Sequence, residues 1–223
     1  MKREELTPRR QKVGWALVIG LLAMAMFAGA ARAVPIVADP DSFAVGTDIS
    51  NAFPGVTLSA VGRGWNNSTG RIIAVDPLTN QSEPFAASTG KLVFGTDDGS
   101  YPHLFREAGF MQLRADFADP TNNVSLDFIG NDASDTGLLE AYDESGNLLG
   151  TVLSSALGID EVGSVSFEIP TNDIAFILAG GAGIPSSLGI DNLRTSHSPE
   201  PATLALLGTG LAGLLVLRRR RRS

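Results

Sequence analysis

Hydrophobic and polar residues alternate through much of the middle of the chain. Val56, Leu58 and Ala60 interleave with Thr57, Ser59 and Val61, and Met111, Leu113, Ala115 and Phe117 with Gln112, Arg114 and Asp116. Val124, Leu126 and Phe128 alternate with Ser125 and Asp127, and Val165, Phe167 and Ile169 with Ser166 and Glu168. A period of two sends successive side chains to opposite sides of a strand, so these runs predict strands with one face buried and one wet. Arg71–Val75 and Ile174–Ala179 are short apolar runs that predict strands of more complete burial. Turn residues lie between the runs. Asp119-Pro120-Thr121-Asn122-Asn123 predicts a hairpin joining two alternating strands. Tyr142-Asp143-Glu144-Ser145-Gly146-Asn147 predicts a second one between Leu138–Tyr142 and Leu148–Leu153, with Gly146 free to take a left-handed backbone. Asp76–Gly90 reads as a long polar loop, Ser154–Gly158 as a helical turn or loop, and no stretch carries the period of a long amphipathic helix. Roughly eight to ten short strands with regular turns predict an all-β fold, a β-sandwich of jelly-roll type. In it the strands after Met111 are successive antiparallel neighbours.

The two ends are different material. Met1–Lys12 carries Lys2, Arg3, Arg9, Arg10 and Lys12, and Val13–Ala30 is apolar and uncharged. Ala31, Arg32 and Ala33 follow, with Ala31 and Ala33 forming the small-residue pattern that a signal peptidase accommodates. Residues 1–33 therefore predict an N-terminal signal helix, cut before Val34, with an uncleaved anchor as the alternative. At the other end Pro199, Glu200 and Pro201 precede Ala202–Leu217, 16 uncharged residues, and then Arg218, Arg219, Arg220, Arg221 and Arg222. As a helix this apolar block spans roughly 24 Å at ~1.5 Å per residue. That is a short C-terminal transmembrane helix, which snorkelling arginines and local thinning fit to a ~30 Å hydrocarbon core. Both basic ends stay cytoplasmic, which places residues 34–198 outside.

The order Pro199-Glu200-Pro201, apolar span, arginine cluster resembles the PEP-CTERM sorting signal of Gram-negative bacteria. The resemblance implies recognition by an exosortase, a membrane-embedded cysteine transpeptidase-like processing enzyme, and an association with exopolysaccharide production. It implies tethering to the inner membrane through the C-terminal helix before processing, then a place at the cell surface or in the extracellular matrix. The chain so divides into a signal peptide (1–33), an ectodomain (34–198) and a sorting signal (199–223). Within the ectodomain, the stretch from Asp116 to Phe128, Ala141-Tyr142-Asp143 with Gly146–Gly150, and Ile190-Asp191-Asn192-Leu193 resemble galactose-binding-type jelly rolls. That resemblance implies a fold and carries no catalytic signature.

Charge sharpens the picture. The chain of 223 residues has a net charge of −7, but residues 34–198 hold 21 acidic against 6 basic residues, a net of −15. Such a domain repels nucleic acid and anionic membrane surfaces. It is compatible with solubility, divalent cations or neutral sugars. The absence of cysteine excludes disulfides, thiolate catalysis and cysteine-ligated zinc.

Candidate chemistry is thin. Only His103, expected in a loop, stands apart from the sorting tail, and no G-x-S-x-G elbow presents a serine, so a Ser-His-Asp triad is not expected. Paired carboxylates among Asp97, Asp98, Asp132, Asp135, Glu140 and Glu168 are candidates for glycoside hydrolysis. Asp132 and Asp135 lie in the oxygen-rich loop Asn131–Gly137, which suits a structural Ca2+. Asp191 meets Asp39 or Asp41 if the first and last strands are adjacent, a second calcium candidate that the jelly-roll resemblance favours; turn and cap roles are the alternative. Trp65 in Gly62–Ser68 and Tyr101 in Gly99–His103 are candidate platforms for a sugar. The expectation is a non-enzymatic exported protein associated with extracellular polysaccharide. A small carbohydrate-active enzyme or a purely structural matrix protein are its alternatives.

Overall fold

Alternation decides the architecture. Leu113 and Ala115 are fully buried, while Arg114 and Asp116, which alternate with them, are half exposed. The computed structural model describes residues 35–62, 69–79, 84–97, 102–103, 105–106, 111–183 and 187–196. The strands in chain order are β1 Val37–Ala38, β2 Val56–Gly62, β3 Thr69–Val75, β4 Val93–Asp97, β5 Pro102–His103, β6 Phe105–Arg106 and β7 Met111–Thr121. They continue with β8 Asn123–Gly130, β9 Gly137–Tyr142, β10 Leu148–Leu153, β11 Val162–Glu168, β12 Ile174–Gly181 and β13 Ser187–Ser196. Helical structure among the described residues consists of two 3-10 turns, Pro40–Ser42 and Pro77–Thr79.

The strands pair in the order β10-β9-β12-β7-β2-β3-β4-β13-β8-β11. This path folds over itself at β3, which pairs with β2 on one side and β4 on the other, so a sandwich is closed at one flank and open at the other. One layer is β10-β9-β12-β7-β2. The other is β4-β13-β8-β11, with β1 and β6 on β13 and β5 on β4. Leu58, Leu113, Ile177 and Leu139 of the first layer meet Phe94, Leu126, Phe128 and Ile190 of the second in one core. Each such Leu, Ile or Phe gives about 1.5–3 kcal/mol by leaving water. Phe53 bridges Phe43 and Phe94 through edge-to-face contacts at 5.5 and 6.3 Å. The unit Val34–Ser198 is compact, and the core residues among the described ones lie inside it. No described helix is long and apolar enough to cross a membrane.

The expected all-β sandwich is present, with three corrections in detail. The Asp119–Asn123 segment does not close a hairpin. β7 pairs with β2 and β12, β8 with β13 and β11, and the chain crosses between layers there. Apart from β9 and β10, the strands following Met111 are therefore not paired with their neighbours in sequence; β7, β9, β10 and β12 go to the first layer and β8, β11 and β13 to the second, with the core between them. Second, Arg71–Val75 and Ile174–Ala179 are not fully buried: Ile73, Phe176 and Leu178 are half exposed, because apolar residues also occupy outward positions there. Third, His103 is not in a loop but in β5, paired with Thr96 of β4. The Tyr142–Asn147 hairpin forms as expected. Leu148 pairs with Tyr142, Asp143 accepts the Asn147 amide at 2.8 Å, and Gly146 has φ 79°.

The expected loop before Gly90 has a structural task. Its segment 84–92 lies on the outer face of the second layer, where fully buried Phe85 packs on Val75, Val93 and Ile129. A Cβ at Gly189 would fall 2.3 Å from that ring, so β13 needs glycine where the strap lies on it.

Candidate functional site

The outer face of the first layer is wet and carries unusual chemistry. Register places Thr57, Asp116, Phe176 and Tyr142 in one row across β2, β7, β12 and β9. The next row is Ser59, Arg114, Leu178 and Glu140, and a third holds Gln112 beside Gly180. Successive strands lie ~4.8 Å apart, so a row of four spans roughly 15 Å.

Phe176 stacks on Tyr142 with centroids 4.8 Å apart and planes 4° from parallel. The Arg114 guanidinium sits 3.7 Å from the centre of the Phe176 ring. Tyr142 reaches it from β9 and Arg114 from β7, since β12 lies between those strands. Arg114 also donates from Nε to Asp116 at 2.8 and 3.0 Å and from a terminal nitrogen at 2.5 Å. That hydrogen bonding raises the Arg114 pKa further above its ordinary value, and the guanidinium stays charged. Its planar fork is thereby fixed over the ring. The Tyr142 hydroxyl donates to Glu140 at 3.3 Å.

Gln112 is 2 % exposed, and its Nε2 has no hydrogen-bond partner among the described residues. A buried amide N–H without an acceptor costs about 1–3 kcal/mol, a cost a ligand oxygen would remove. Gln112 packs closely over Gly180, where a Cβ would meet its Cγ at 3.2 Å. Next to Thr57 and Asp116 opens a depression of about 410 Å³, lined by Asn51, Pro54, Gly55 and Ala118 as well. The face thus combines aromatic rings, a fixed donor (Arg114) and carboxylate acceptors (Asp116, Glu140), with a concavity at one end.

A second polar cluster lies beneath the strap on the opposite layer. Asp191 is fully buried and Asp127 is 7 % exposed, and they face each other across β13 and β8. Ser88 Oγ stands 2.8 Å from Asp191 Oδ2 and 3.0 Å from Asp127 Oδ2. Asp127 also accepts from Ser164 at 2.6 Å and from Asn192 Nδ2 at 2.9 Å. Asp191 accepts the backbone amides of Thr89 and Asn192. Asn192 has φ 55°, a left-handed conformation that asparagine tolerates, and sits in the register shift between Asp191 and Arg194. Burial pushes the Asp191 carboxyl up to about 6 against its hydrogen bonds to Ser88, Thr89 and Asn192, with the Asp39 charge adding to the rise.

The structure brings some expected residues together and separates others. β1 pairs with β13, so Asp39 does come near Asp191. Asp39 caps the first 3-10 turn by accepting the Asp41 amide, and Asp41 accepts the Lys91 and Leu92 amides, which ties the strap to the N-terminal segment. Asp132 and Asp135 lie elsewhere, in the loop beyond β8, where Asp135 accepts the Asn131 and Asp132 amides. Among the described residues no three Asp, Glu or His side chains are grouped to hold a metal. Trp65, Tyr101, Ala31, Ala33, Pro199, Glu200, Pro201 and Arg218–Arg222 lie outside the described residues.

Sequence reasoning missed Phe176, which the apolar run assigned to the interior, and Tyr142, which looked like the rim of a turn. Their partnership depends on the β9–β12 register across a separation no local pattern reveals. Gln112, Arg114 and Asp116 were legible as outward positions. Asp127 was too, although not as a partner of Ser88.

Against known proteins, residues 199–222 match the PEP-CTERM protein-sorting motif, so the chain carries that sorting motif at its C-terminal end. No curated protein matches the sequence. Among solved structures, similar folds include the K2 cleaved adhesin domain of Lys-gingipain (TM-score 0.45, 9 % identity, 73 % of this chain and 99 % of that one). The C-terminal family 22 carbohydrate-binding module of Clostridium thermocellum Xyn10B is similar too (TM-score 0.42, 12 % identity, 76 % and 96 %). So is a DUF4465 family protein from Bacteroides caccae (TM-score 0.42, 14 % identity, 76 % and 95 %).

Proposed function

We propose that this is an exported surface or extracellular-matrix protein, processed through its PEP-CTERM tail, whose β-sandwich binds polysaccharide without cleaving it. The observation that carries the binding assignment is the outer face of the first layer, where the Tyr142–Phe176 stack adjoins the Arg114–Asp116 pair. A pyranose presents flat C–H faces and a rim of hydroxyls. Rings meet the first by apolar contact, and fixed donors and acceptors meet the second. A row of roughly 15 Å suits a chain of sugars more than a single residue. The net charge of −15 over residues 34–198 favours a neutral glycan over an anionic one.

The same face supports binding rather than hydrolysis. Asp116 and Glu140 are two strands apart, roughly 10 Å between backbones, and Asp116 is held in a bidentate pair with Arg114. A glycosidase uses its two carboxyls as acid and as base or nucleophile, whereas Asp116 is engaged by Arg114. The sorting motif at 199–222 supports export, processing by an exosortase-type enzyme and a cell-surface or matrix destination.

The test is affinity electrophoresis of the Val34–Ser198 unit through gels containing the host's own exopolysaccharide, with a reducing-end assay on the same mixture. Retardation without new reducing ends is expected. Unretarded migration, or release of reducing ends, overturns the reading.

A further inference from the structure

The strand path has two ends, β10 in one layer and β11 in the other, and both lie on the open flank of the sandwich. They stack there, for a Cβ at Gly150 of β10 would fall 2.4 Å from the Phe167 ring of β11. An edge strand offers a row of unpaired N–H and C=O groups, and proteins protect such edges with lysine, proline, bulges or a covering segment. These two edges have little such protection. Neither strand contains Lys, Arg or Pro, and Glu168 at the far end of β11 is their single charge. The β10–β9 register shift is confined to Leu148/Gly150, and β11 pairs with β8 without a break from Val162 to Glu168. The two edge strands also carry exposed apolar side chains, Leu148 at 54 % and Leu153 at 57 % on β10 and Val162 at 44 % on β11. In a domain with a net charge of −15, the two edge strands themselves carry one charge between them, although Asp160, Glu161, Asp143 and Glu144 border their ends.

We infer that this flank is a homotypic interface, through which β10 and β11 of one molecule pair with β10 and β11 of a second copy. The occupant follows from the shape of the flank. It presents two strand edges, one above the other, at the spacing of a β-sandwich. Filling both requires a partner with two stacked edges at that spacing, and the flank of another copy is such a surface. A two-fold axis perpendicular to the layers turns each strand antiparallel to its image, so both sheets run on across the junction and the contact closes on itself. Leu153 and Val162 border the joint on the outer faces of the two layers, where a second copy would cover part of their exposed surface. The interface stands apart from the glycan reading, although it would set two outer faces side by side and raise their avidity.

Sedimentation velocity of the Val34–Ser198 unit over a concentration series tests this, alongside Leu153→Lys and Val162→Lys. A reversible dimer is expected for the parent, and monomers for both substitutions with far-ultraviolet circular dichroism and melting temperature unchanged. Hydrogen exchange on the parent supplies an independent reading, with β10 and β11 amides gaining protection as concentration rises. A parent that stays monomeric, dimers that survive both substitutions, or edge amides whose exchange ignores concentration each overturn the inference.

Discussion

Phe176 lies flat against Tyr142, 4.8 Å between ring centres, although the two residues belong to strands joined by more than thirty intervening positions. The pair is half exposed on a sheet whose other face is core, so it contributes modestly to packing; Tyr142 and Arg114 cover the two faces of the Phe176 ring, so a ligand meets that ring at its edge. Phe176→Ala removes the ring that both Tyr142 and Arg114 contact. Loss of one stacking and positioning element of this kind costs about 1–3 kcal/mol. Binding to the host polysaccharide should weaken by about tenfold or more, with melting only slightly lowered. Leu78→Ser, on an exposed residue outside the face, serves as the control. Equal retardation of Phe176→Ala and parent in the gel would remove the outer face from consideration.

How far such a site was legible depends on what each residue needed. Arg114 and Asp116 were readable as outward residues because a period of two is a local property of β7. Phe176 was not, since Ile174–Ala179 is apolar throughout and an outward aromatic resembles an inward one until the layer above it is known. The Asp119–Asn123 turn misled for a related reason. Pro120, Asn122 and Asn123 mark a reversal, but whether the chain returns in the same sheet or crosses to the other is set by which layer each strand buries against. The Asp39–Asp191 approach was conditional on pairing of the first and last strands, which β1 and β13 supply. Ser88 had no local signal, because its role depends on where the strap lies.

The sorting motif makes a prediction that does not depend on the sandwich. Glu200 is the central residue of Pro199-Glu200-Pro201, within the matched residues 199–222. Glu200→Ala should leave the protein in the membrane fraction of its host, while the parent is processed and leaves it. Fractionation followed by immunoblotting reads the outcome directly. Unchanged release of the variant would mean that the motif does not direct processing here.

Packing under the strap is tight enough to test by a double-mutant cycle. Phe85 is fully buried, so Phe85→Ala should cost about 3–5 kcal/mol through lost burial and the cavity left behind. Gly189→Ala places a methyl 2.3 Å from the ring edge and should cost about 1–3 kcal/mol by overpacking. In Phe85→Leu the ring is gone, so adding Gly189→Ala should cost much less than it does in the parent. Urea denaturation gives the coupling. Strict additivity would show that the strap does not press on β13 as described.

Asp191 gives the chain a pH dependence of unusual sign. Desolvation lifts its carboxyl from 3.8 to about 6 in the folded protein. Between those values the folded state binds a proton that the unfolded state does not, so stability rises as pH falls through that window. At neutral pH the buried charge costs about 3 kcal/mol, at ~1.36 kcal/mol per pH unit. The geometry explains the preference. Ser88 has one hydroxyl proton for two carboxylates, Asp191 at 2.8 Å and Asp127 at 3.0 Å. A protonated Asp191 donates to Ser88, Ser88 donates to Asp127, and every oxygen in the chain is then served. Asp48 and Asp143 work in the opposite direction. The amide of Ser50 and the side chain of Asn147, respectively, hold them below the ordinary carboxylate value. Their contribution is present above about pH 4 and is lost as pH falls through their folded values. The melting temperature should therefore be higher near about pH 5 than near about pH 7, and should fall again below about pH 4. Asp191→Asn should flatten the curve between about pH 5 and 7 while leaving the acid limb in place. A parent protein whose melting temperature drops steadily from neutral pH downward, or a variant that keeps the rise, would show that Asp191 is not the group responsible.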